Sequence, residues 1–84
     1  APRPAGAAGP GAAEVRAARK EAARVERRLE RAEAEIARLH GELAANATDA
    51  EAVLRLDGEL RRADAEKDEL EERWLEVMAV VETA

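Results

Sequence analysis

The sequence predicts an all-α fold, a two-helix antiparallel coiled-coil hairpin behind a disordered N-terminal linker. Three observations lead there. Apolar residues recur in unbroken steps of three and four along two segments of similar length. A short run of turn and capping residues separates those segments. Finally, 22 of the 39 hydrophobic residues are alanine, and Trp74 is the only aromatic. That composition cannot fill a thick globular core, whereas a coiled coil needs only a narrow apolar seam.

Residues 1–13 hold all three prolines and three of the five glycines, without apolar periodicity. This Ala/Gly/Pro stretch has too little side chain to offset its ordering entropy and reads as a linker. The first helix is expected over 14–45. Its seam is Val15, Ala18, Ala22, Val25, Leu29, Ala32, Ile36, Leu39 and Leu43. Residues 46–49 are the expected loop. Asn46 is suited to the left-handed conformation that ends a helix. Thr48 and Glu51 stand three apart as a capping box, and Asp49 favours a helix N-terminus through the dipole. The second helix is expected over 50–82, with the seam Val53, Leu56, Leu60, Ala63, Lys67, Leu70, Trp74, Val77 and Val81.

Two helices of matching length joined by a short loop lie antiparallel, seam against seam. Charge favours the same pairing. Residues 14–43 carry eight basic and seven acidic side chains, and residues 49–82 carry five and twelve. Asp57, Glu59, Asp64, Glu66 and Glu71 are placed to face Arg19 and Arg28. Trp74 is expected opposite Ala18 or Val25, depending on how tightly the loop turns, with a small alanine layer favoured on volume.

Catalytic machinery is not expected. The chain has no cysteine, no serine, no glycine-rich phosphate loop and a single histidine, His40. Its carboxylates fall on solvated helix faces with no cleft to shift them. No cofactor and no metal are expected, and His40 reads as a surface residue. No apolar run approaches the length of a membrane span. The N-terminus has neither a starting methionine nor the regions of a signal peptide. The segment is therefore expected to belong to a longer cytoplasmic chain.

The polar feature with most information is a basic stripe. Arg16, Lys20, Arg24, Arg27 and Arg31 recur at steps of four, four, three and four, on outward positions of helix 1. They line one ridge over about 22 Å, and regular cations on a ridge suit a phosphate backbone. A solvated coiled-coil face would be charged too, with Glu30 free to pair with Arg27 or Arg31. At the end of helix 2, Leu75, Met78 and Val80 lie beyond the two-stranded seam. They form a candidate patch for a protein partner or a second copy.

Several segments resemble a known domain. They are Ala44–Asp49, then Leu56-Asp57-Gly58-Glu59-Leu60, then Glu66-Lys67-Asp68-Glu69-Leu70-Glu71-Glu72-Arg73-Trp74-Leu75-Glu76. With the Arg-rich helix before them, they are similar to the C-terminal coiled coil of ATP-binding-cassette proteins of the F subfamily, actinobacterial type. The resemblance covers roughly residues 14–82. It implies a parent protein with two cytoplasmic ATPase domains that acts on ribosomes or in DNA maintenance. It also implies a nucleic-acid-binding role, on DNA or ribosomal RNA, for the coiled coil. The ATPase motifs of that family are absent from these 84 residues. The expected function is thus a non-catalytic accessory domain that contacts nucleic acid through the stripe, as a monomer with at most weak self-association. The alternative is a protein-interaction or spacer coiled coil that uses the apolar end of helix 2.

Overall fold

A computed structural model describes residues 9–84, and the greater part of the expected linker, residues 1–8, lies outside the described residues. The described residues fold into two helices, α1 (Ala12–Ala45) and α2 (Ala50–Glu82), packed against each other as a hairpin. Helix α1 begins at Ala12, two residues before the start expected at residue 14. Alanine is the best helix former, so Ala12 and Ala13 join the first turn although they bury nothing.

The buried residues belong to the predicted seams except Ala52, which is buried where the pattern placed its neighbour Val53, itself half-buried. Ala18, Ala22, Val25, Ala32 and Leu39 of α1 meet Ala52, Leu56, Ala63, Leu70 and Val77 of α2. Near the tip, Leu39 and Leu56 are the most enclosed side chains, with Ile36, Leu43 and Leu60 packed around them. In the middle, Val25, Ala32 and Leu70 are flanked by Leu29 and Trp74. At the open end, Ala18 and Ala22 pack with Val77, Met78, Val80 and Val81. The register thereby places Trp74 beside Val25 and Leu29. The alanine layer goes to Val77 instead of the tryptophan, so its small side chains admit several branched ones. Lys67, the one polar seam residue, is half-buried, the usual position of a lysine stem with its head in water.

The loop closes by different contacts from those the sequence suggests. Asn46 has φ −115° and ψ 24°, so it does not enter the left-handed region. Its backbone N–H and its Nδ2 both donate to the Glu42 carbonyl, at 2.9 and 2.8 Å, which satisfies an orphan group of the last turn. At the start of α2 the cap is Asp49, not Thr48: the Asp49 carboxylate accepts from the Ala52 N–H at 3.1 Å. The chain enters α1 close to where α2 ends. A Cβ added to Gly9 would lie 3.3 Å from the Thr83 carbonyl oxygen, so only glycine fits there without adjustment.

Candidate functional site

The seam fixes which side chains face outward. Positions 18, 22, 25, 29 and 32 turn inward, so Arg16, Lys20, Arg24, Arg27 and Arg31 lie off the seam and all five are exposed, with Arg24 and Arg31 on the flank where α1 borders α2. They are not equivalent. Arg24 donates to Glu21 through Nε and Nη2, the latter at 2.8 Å. The same Glu21 stands 3.7 Å from Arg73 of α2. The hydrogen bond from Arg24, helped by both positive charges, holds the Glu21 carboxyl below its ordinary value of 4.5. Arg24 therefore brings less free charge to the ridge than its neighbours.

Arg16, Lys20, Arg27 and Arg31 make no ion pair among the described residues. Glu30, between Arg27 and Arg31, is paired with neither. Four uncompensated cations thus share one ridge, and Arg31 also lines a hollow of about 190 Å³ with Arg28, Glu35 and Glu66. Other arginines behave differently. Arg38 is clamped between Glu35 and Glu42, and its hydrogen bond holds the Glu35 carboxyl below 4.5. Arg55 pairs with Glu59 and Arg61 with Asp57, each at helical spacing. Arg16 and Lys20 have no carboxylate three or four residues away, so their freedom follows from the sequence, whereas Arg27 and Arg31 have Glu30 and Glu35 at that spacing and are not told apart from the clamped arginines by sequence alone.

Between the helices, Arg28 meets Glu66 at 3.5 Å, one of the pairings the charge pattern predicts. Arg19 makes no ion pair among the described residues. The Trp74 indole Nε1–H donates to the Glu26 carboxylate at 3.0 Å, an interhelical bond that becomes visible only once the register is known. Exposed pairs of this kind contribute about 0–1 kcal/mol, enough to select a register more than to hold the fold.

The expected apolar patch is divided by the fold. Leu75 is 64% exposed, whereas Met78 and Val80 are half-buried against Ala18, Ala22 and Val77. Only Leu75 remains fully available to a partner. Leu54 is also exposed, at 76%, and the sequence pattern gave it no role.

A groove of about 610 Å³ opens between the helices at the open end, floored by Ala17, Ala18, Val77 and Val80. On its rim Glu21 and Glu76 pair with Arg24 and Arg73, and Glu14 makes no ion pair among the described residues. Among the described residues, no cluster of three or more His, Cys, Asp or Glu is placed to hold a metal ion. Nor is any helix among them long and apolar enough to cross a membrane. His40 is exposed near the tip.

No curated protein and no solved structure matches the chain. Among protein families, the one described as ABC transporter C-terminal domain matches residues 15–79, from the first seam residue of α1 to the last turns of α2.

Proposed function

Because this chain belongs to the ABC transporter C-terminal domain family, we propose that it is a non-catalytic accessory domain that binds nucleic acid electrostatically along α1. The parent ABC protein supplies nucleotide hydrolysis, and we assign it to the F subfamily on the residues that resemble that branch. The domain works in the cytoplasm and needs no cofactor of its own.

One observation carries this reading. Arg16, Lys20, Arg27 and Arg31 are exposed, spaced at helical intervals along α1 and unpaired among the described residues, while Arg38, Arg55 and Arg61 are held by carboxylates of their own helices. Unpaired cations keep their full attraction for phosphate oxygens, and binding them releases counterions from the nucleic acid. Trp74, the one aromatic, lines a hollow beside the carboxylates of Glu33 and Glu71, whose charge repels a phosphate backbone, so the ridge has no stacking platform for base reading. The contact is therefore to the backbone and indifferent to base sequence. The acidic α2 faces away and limits binding to one side of the hairpin.

The test is a titration of labelled duplex DNA, single-stranded DNA and structured RNA at several salt concentrations. Four phosphate contacts on duplex DNA give a slope of log K against log salt of about −3.6, or roughly two decades of affinity between 50 and 200 mM. R27Q/R31Q removes two contacts and should halve that slope with helicity unchanged. A slope near zero, or one the double variant leaves alone, would overturn the assignment.

A further inference from the structure

On the flank of the hairpin, Leu29 of α1 and Trp74 and Leu75 of α2 enclose a hollow of about 250 Å³ rimmed by Glu33 and Glu71. We propose that this hollow receives an arginine or lysine side chain from a basic segment of a partner protein.

The charge of the rim selects the occupant. Neither Glu33 nor Glu71 makes an ion pair or a side-chain hydrogen bond among the described residues. Lys67, one turn before Glu71, forms no ion pair with it. A third carboxylate, Glu26, accepts the indole N–H of Trp74 at 3.0 Å. The larger groove at the open end has Arg24 and Arg73 among its carboxylates, whereas no cation lines this one. Clustered carboxylates repel a phosphate backbone and attract a cation, so the occupant is a basic protein segment and not nucleic acid.

The apolar floor suits the same side chain. A lysine or arginine stem is aliphatic and covers apolar surface while its head stays among charges. Leu29 is half-buried and Leu75 is 64% exposed, so both have surface to give. The half-buried Trp74 ring offers a face to a guanidinium or ammonium. The carboxylate bound at its N–H enriches the ring in electron density and strengthens that attraction. Stem, ring face and paired carboxylates converge on one long cationic side chain.

The test uses the full chain and a short helical peptide of leucine and arginine, compared with the same peptide carrying citrulline, which keeps the shape and loses the charge. Trp74 is the only aromatic residue, so its fluorescence reports the hollow directly. The arginine peptide should give a saturable change, with affinity falling about tenfold for the citrulline peptide and about tenfold for E33Q/E71Q. Both glutamates of that variant are surface residues, and its helicity should be unchanged. R27Q/R31Q should bind the peptide as the unmodified chain does, which separates this site from the nucleic-acid ridge. Equal affinity for the citrulline peptide, or for E33Q/E71Q, overturns the proposal. So does a Trp74 signal that changes with protein concentration alone and disappears in R27Q/R31Q, since the occupant would then be the ridge of a second copy.

Discussion

Replacing Leu39 by alanine should remove a large part of the hairpin's stability. Leu39 is fully enclosed, packed with Leu56, Ala52 and Ala63 and flanked by Ile36, Leu43 and Leu60. Truncation takes three carbons out of that cluster, about 2.4 kcal/mol of lost transfer free energy at ~0.8 per methylene. The residual cavity adds to this, and large-to-small changes in cores cost about 2–5 kcal/mol. A seam only two helices thick relaxes more readily than a thick core, so the expected loss is about 2.5–3.5 kcal/mol. A domain of this length is stable by roughly 4–12 kcal/mol in total. At about 4–8 °C per kcal/mol, the midpoint should fall by some 10–25 °C. Thermal and urea unfolding followed by far-UV circular dichroism measure it, with Val77→Ala at the open end as a milder control. A loss below about 1 kcal/mol would refute the placement of the principal core at the tip. A midpoint that rises with protein concentration would instead show that association between chains supplies the stability.

Three further outcomes follow from local structure. Asp49→Ala removes the acceptor for the Ala52 N–H and should cost about 0.5–2 kcal/mol, while Thr48→Ala should cost less, as read from the same unfolding curves. Gly41→Ala and Gly58→Ala should each raise stability by up to about 1 kcal/mol. The added Cβ of Gly41 meets nothing within 4 Å, and that of Gly58 meets only the Arg62 guanidinium at an ordinary 3.8 Å. Glu21 and Glu35 are held below 4.5 by hydrogen bonds from Arg24 and Arg38. A depressed folded-state pKa gives stability that is complete above the ordinary value and lost as pH falls through the folded one. The midpoint difference between the native chain and E21Q/E35Q should therefore be largest at neutral pH and close as pH drops below 4.5.

The hairpin was legible in the sequence because its determinant is one-dimensional. A three-four apolar rhythm can be counted, and the buried residues of both helices are almost all members of the counted seams. What the rhythm leaves open is how one seam slides against the other. That is decided in the loop, where Asn46 turns without left-handed backbone and Asp49 caps in place of Thr48. Both choices depend on backbone angles that residue types permit without dictating. Register then fixes everything lateral. Trp74 meets Glu26, Met78 and Val80 fold in against alanines, and Leu75 stays out. The basic stripe was visible as spacing, and Arg16 and Lys20 were legible as free because no carboxylate stands three or four residues from either; the division of the other three was not. Arg24 has Glu21 within reach and uses it, whereas Arg27 has Glu30 within reach and does not.

The most direct test of the central claim is residue-resolved. Side-chain Nε–H signals of the arginines should be followed by NMR as duplex DNA or structured RNA is added to the labelled chain. If α1 is the contact surface, the signals of Arg16, Arg27 and Arg31 shift or broaden together and recover with added salt. Those of Arg38, Arg55 and Arg61, held by their own carboxylates, stay in place. Shifts confined to α2, or none on the ridge at a concentration where binding is measured independently, would contradict the account.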